Sequence, residues 1–135
     1  MIDWMYEVLH AFKMSEQTFF LAVQYMDRYI ASCPLALPLE NLHVIGITCM
    51  FIASKFEDIT PLFMPTVVTR IGHNRFSREE ILRYEKEILA TLGFKMASVP
   101  TVLEFLERYL SQGYFLNYPG GVEPLQTVAK YLAFL

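Results

Sequence analysis

Three observations predict an all-α fold. Apolar residues recur at helical spacing along nearly the whole chain, and no segment alternates as a half-buried strand would. Capping residues punctuate the pattern, with Ser15 and Ser77 at helix starts and Gly93 at a helix end. Between residues 42 and 56 almost every position is apolar or small, so no face of a helix there would be wetted. A helix that is apolar all round belongs inside a bundle. The expected architecture is a five-helix domain around a central, buried third helix, over residues 1–96. The beginning of a second helical repeat follows over 97–135.

Each element has its own warrant. The first helix is expected over residues 1–13, with Trp4, Val8 and Phe12 on one face. Ser15 caps the second, whose stripe is Phe19, Ala22, Val23, Met26 and Ile30. Pro34 and Pro38 bound a short loop, Pro38 standing where proline is tolerated at a helix start. The third helix runs to about residue 56. Pro61 and Pro65 then break the chain before a short helix over 65–71, and Gly72-His73-Asn74 makes a turn. Ser77 and Glu80 are spaced as a capping box. The fifth helix then carries Ile81, Tyr84, Ile88 and Leu92 and stops at Gly93.

After Val99-Pro100 a new stripe begins: Val102, Leu103, Phe105, Leu106, Tyr109 and Leu110. A loop at Tyr118-Pro119-Gly120-Gly121 precedes a last helix from about residue 122. These two helices have too few partners to close a core of their own. Both chain ends fall inside helical patterns, so the expectation is a piece of a longer protein.

Composition excludes several classes. With 135 residues, 54% of them hydrophobic, the chain can bury a real core, and disorder is ruled out. The longest apolar stretch, residues 44–53, falls far short of the ~20 residues needed to span a bilayer. No secretory signal pattern opens the chain. Cys33 and Cys49 have no metal-type spacing and read as reduced thiols of an intracellular protein. The net charge is −3 with both signs interspersed, so the basic stripe that drives nucleic-acid binding is missing.

Catalytic motifs are absent: no glycine-rich phosphate loop, no HExxH, and no nucleophile with an activating set nearby. His10, His43 and His73 lie on different elements and read as ordinary histidines rather than ligands, so neither metal nor cofactor is expected. Glu57 and Asp58 are adjacent and would diverge by about 100° on a helix, a poor acid–base pair. The aromatics sit at helical spacing and read as core. What stands out is Lys55-Phe56-Glu57-Asp58, three charges and a ring where the central helix leaves the core. An interaction site on a rigid scaffold is the expectation.

Several phrases resemble a known family. Ile2-Asp3-Trp4 with Glu7-Val8, Leu21-Ala22-Val23-Gln24-Tyr25-Met26-Asp27-Arg28-Tyr29, and Ala53-Ser54-Lys55-Phe56-Glu57-Asp58 look like the N-terminal cyclin box. Glu80-Ile81-Leu82-Arg83-Tyr84-Glu85 and Ile88-Leu89-Ala90-Thr91-Leu92-Gly93-Phe94 continue the match in order. Pro100-Thr101 with Phe105-Leu106 looks like the start of the second box. The resemblance is nearest to the A/B-type mitotic cyclins and covers essentially the whole chain.

The resemblance implies the cyclin fold and a role as regulatory subunit of a cyclin-dependent serine/threonine kinase in the cell cycle. A cyclin does no chemistry itself. It seats the kinase's C-helix glutamate and supports the activation loop. It implies that Lys55 and Glu85 centre the kinase interface, with Phe56, Glu57, Leu89, Phe94 and Met96 around them. A second implied site docks Arg-x-Leu segments of substrates or inhibitors at Met1, Trp4, Glu7, Leu42 and His43. His43 stands where the family has glutamine, and the arginine expected to pair with Asp27 is absent. The implied location is nuclear or cytoplasmic. Two relatives in fold remain as alternatives: a single-box regulator of a nutrient- or transcription-linked kinase, and an adaptor of the transcription factor IIB type. The Pro100-Thr101 continuation argues against the first and the acidic balance against the second.

Overall fold

The computed structural model describes residues 1–33, 38–112, 121 and 123–134, and among these the regular structure is entirely helical. In order the helices are α1 (Ile2–Phe12), α2 (Glu16–Ser32), α3 (Asn41–Glu57), α4 (Met64–Thr66), α5 (Arg78–Thr91), α6 (Val102–Leu110) and α7 (Glu123–Ala133). The loop expected between Pro34 and Pro38, and most of the one expected at 118–121, lie outside the described residues. The chain forms two compact units, Met1–Ser98 and Val99–Leu135.

Helix α3 is the core of the first unit. Every residue from Val44 to Ser54 is buried, and α2, α5 and α1 pack around it. Its polar residues satisfy themselves, Thr48 donating to the Val44 carbonyl and Ser54 to that of Phe51. A buried helix can keep hydroxyls only on such terms.

The flanking helices bury wider or rotated faces. In α1 the core residues are Met5, Val8 and Leu9, while Trp4 and Phe12 are only half-buried. The expected Trp4–Val8–Phe12 face is therefore turned, because Met5, Val8 and Leu9 make the tighter i, i+3, i+4 stripe. In α2, Phe19, Ala22 and Met26 are buried as expected, but Val23 and Ile30 are half-buried. Thr18, Phe20, Leu21, Tyr25 and Tyr29 complete its core face. Tyr29 donates its hydroxyl to Glu87, tying α2 to α5.

The segment expected as a helix over 65–71 is one α-turn that widens into a π-helical turn at Val67–Ile71. Gly72 closes it, its N–H bonding the Val67 carbonyl at 2.8 Å. A side chain at Gly72 would meet the Val67 and Val68 carbonyl oxygens at 3.1 Å. Ser77 caps α5 by accepting from the Glu80 N–H, without the reciprocal bond from the Glu80 side chain. The complete capping box is at Thr101 and Glu104, starting α6. In the second unit α6 packs with α7, and Leu103 and Leu110 are buried. Val102, Phe105 and Tyr109, expected on the same stripe, are exposed.

Candidate partner-binding site

Helix α3 delivers its charges where it leaves the core. Ser54 is fully buried and Lys55, Phe56 and Glu57 are exposed, so one residue step separates core from solvent. The Lys55 ammonium lies 4.1 Å from the centre of the Phe51 ring and pairs with the Glu85 carboxylate on α5. The two side chains are 41% and 13% exposed. With its cation open to solvent, the pair contributes about 1 kcal/mol or less to folding. Its geometry is nonetheless set, by a ring beneath the cation and a packed helix behind the anion.

The other residues expected with this pair sit on α3, on α5 or just after it. Phe56 is half exposed and Glu57 exposed beside Lys55, while Leu89 follows Glu85 by one turn and is half-buried. Phe94 and Met96 come after α5. Gly93 and Phe94 both take left-handed backbone, with φ of 59° and 56°. Such a conformation is costly for a phenylalanine and persists only where its surroundings hold it. Two side chains of α2 do so: the Tyr25 hydroxyl donates to the Met96 carbonyl at 3.2 Å, and Arg28 to that of Lys95 at 3.0 Å. Phe94 is left 71% exposed. Neither clamp was legible locally, since donor and acceptor are 71 and 67 residues apart.

Asp58 turns away from Glu57. Its carboxylate accepts from the Ser15 N–H at 3.2 Å and the Thr18 hydroxyl at 2.7 Å, joining the end of α3 to the start of α2. An anion is favoured at a helix N-terminus, where free N–H groups and the macrodipole coincide. Nothing in the local sequence pointed to Ser15, 43 residues away.

The second expected group is partly assembled. Met1 packs on α3, its sulfur 3.0 Å from where a Gly46 side chain would begin. The Trp4 ring lies 4.4 Å from that of His43, which stacks at 6.1 Å on Phe76. Leu42 is half-buried beside His43 at the start of α3. Glu7 and Trp4 line a cavity of about 180 Å³ with Arg70 and His73. Burial, and after it the charge of Arg75, holds the His43 imidazole below its ordinary pKa. Phe76 and Arg70 are the members that sequence reasoning missed. Asp27, whose expected arginine partner is absent, is exposed and forms no ion pair among the described residues.

Burial, reinforced by Asp27, pushes the Cys49 thiol up, and both cysteines are free. Burial, then the bond to Glu87, raises the Tyr29 hydroxyl. Among the described residues no group of three His, Cys, Asp or Glu is placed to hold a metal ion. No helix there is long and apolar enough to cross a membrane.

A buried axial helix packed among α1, α2 and α5 defines a helical scaffold of the cyclin type. The family model for the cyclin N-terminal domain matches residues 1–97. The G2/mitotic-specific cyclin-A of Hydra viridissima is 38% identical over all of this chain, which covers 30% of that protein. Cyclin-B2-1 of Oryza sativa subsp. japonica is 36% identical over 82% of the chain and 25% of its own length. A viral cyclin from herpesvirus saimiri has the same fold, with a TM-score of 0.72 at 24% identity over 98% of this chain and 54% of that one. The chain thus belongs to the cyclin family, with a box of the A/B type. It spans under a third of the length of these two curated relatives.

Proposed function

We propose that this chain is the kinase-binding part of a cyclin that binds and activates a cyclin-dependent serine/threonine kinase in cell-cycle control. The observation that carries this is the Lys55–Glu85 pair at the open end of α3. A cation and an anion held side by side can satisfy both ends of an approaching helix, and Phe56, Leu89, Phe94 and Met96 supply an apolar surround. Exposed aromatic anchors of this sort usually carry most of an interface's binding energy. Glu57 lies on the rim and contributes mainly to steering. The chain supplies no catalytic group. It positions the kinase's own glutamate and loop, so the kinase's Lys–Glu pair can form.

In this reading residues 97–135 are the first two helices of a second cyclin box, and the protein works in the nucleus or cytoplasm. Met1, Trp4, Glu7, Leu42 and His43 form a docking groove for Arg-x-Leu segments. Glu7 would receive the arginine and the Trp4 ring the leucine. The deciding experiment is capture of a cyclin-dependent kinase by the chain, followed by histone-type substrate phosphorylation. Capture by the parent chain with loss in a Lys55→Ala/Glu85→Ala double variant supports the proposal. Equal capture by the two would remove the site.

A further inference from the structure

Between Asp58 and Phe63 the chain runs without regular structure from the end of α3 to α4. This stretch is held at both ends. The Asp58 carboxylate is bonded to Ser15 and Thr18 on α2, and the Leu62 N–H bonds the Ser54 hydroxyl of α3 at 3.1 Å. Between those anchors the chain bows outward: Ile59 is fully exposed and Thr60 exposed.

Thr60 differs from the other serines and threonines of this chain in the residue that follows it. It is the only serine or threonine followed by proline. Its hydroxyl also makes no hydrogen bond among the described residues. Along the chain the hydroxyls of Ser54 and Thr69 are engaged, while that of Thr66, like that of Thr60, makes no hydrogen bond among the described residues. The proline matters physically. It biases the residue before it to extended backbone, the form in which a peptide enters a kinase cleft. It also has no N–H, which suits a cleft that offers no acceptor at that position.

We propose that Thr60 is a phosphoacceptor for a proline-directed serine/threonine kinase. The Thr60 hydroxyl oxygen attacks the γ-phosphorus of ATP, and the bond from that phosphorus to the β,γ-bridging oxygen breaks. ADP leaves, and the hydroxyl proton passes to the modifying kinase's catalytic aspartate. The product carries an added charge of about −1.5 to −2 at pH 7. That charge falls beside Glu57 and Asp58. The inner side of the loop is a cleft of about 400 Å³, lined by Thr60, Asp58, Ser15 and Lys13. Lys13 forms no ion pair among the described residues and is the cation within the same cleft. Phosphorylation adds like charge to the Glu57 rim and sets the phosphate competing with Asp58 for the start of α2. The modification therefore weakens partner binding. This consequence rests on the proposed kinase-binding role, whereas the acceptor itself does not.

The test uses the whole chain, ATP and a proline-directed kinase already active without this chain, read by intact and peptide mass. One phosphoryl group on Thr60 is expected, lost in Thr60→Ala, kept in Thr60→Ser, and formed about tenfold more slowly in Pro61→Ala. Phosphate found elsewhere, or transfer that Thr60→Ala and Pro61→Ala leave unchanged, would overturn the acceptor. The phosphorylated chain should bind its cyclin-dependent kinase about tenfold more weakly than the unmodified chain. Equal or tighter binding overturns the regulatory consequence. If the unmodified chain binds no such kinase, the proposed function fails, while the mass measurement still decides the acceptor.

Discussion

Lys55 and Glu85 separate two kinds of energy. The Lys55 end of their pair is open to solvent, so Lys55→Ala should lower the unfolding free energy by less than about 1 kcal/mol. The same change should cost about 2 kcal/mol or more in kinase binding if the residue is an interface centre. Denaturant unfolding and titration calorimetry measure the two separately. A large stability loss with unchanged binding would make Lys55 a structural residue. His43 is a second residue-scale case. Burial and neighbouring positive charge favour its neutral imidazole in the folded state. Its contribution to stability is present above the ordinary pKa of about 6.5 and is lost as the pH falls through the lower folded value. Thermal unfolding between about pH 7.5 and 5.5 should show a steeper loss for the parent chain than for His43→Gln. Equal slopes would mean that His43 titrates freely.

At the scale of elements, α3 carries the stability of the first unit. Ile45 is completely buried, so Ile45→Ala should cost about 2–5 kcal/mol through lost transfer energy and an unfilled cavity. Chemical denaturation checks this, and a loss well under 1 kcal/mol would contradict an axial helix. Helix α1 shows how far sequence reading reaches. Its existence was plain from the spacing of Trp4, Val8 and Phe12, yet the buried residues are Met5, Val8 and Leu9. Two stripes one residue apart are both apolar there, and only packing chooses between them. The π-helical turn at Val67–Ile71 was illegible for a similar reason. Its wider bonds depend on the close approach at Gly72, not on residue preferences over 65–71.

At the scale of the whole molecule, the two units differ in how much apolar surface they cover. The first buries most of its large side chains, while the second leaves Val102, Phe105, Tyr109, Val128, Tyr131 and Leu132 at least half exposed. Exposed apolar surface of this extent favours association. The chain should therefore self-associate at micromolar concentration, and Phe105→Asp with Tyr131→Asp should shift it toward monomer. Sedimentation velocity reads both, and a monodisperse parent monomer would refute the expectation. Residues 1–98 should unfold cooperatively without the second unit, since their core is self-contained.

The sequence by itself determined the all-helical class, the buried third helix and the place where its charges emerge. Those properties are local: periodicity, caps and an unbroken apolar run are written within a dozen residues of one another. Tertiary structure alone decided which groups meet. Lys55 finds Glu85 across 30 residues, Asp58 finds Ser15 across 43, and Tyr25 finds the Met96 carbonyl across 71. Such meetings depend on the rotation and axial offset of packed helices, which ridge-and-groove packing sets only once all the core side chains are in place.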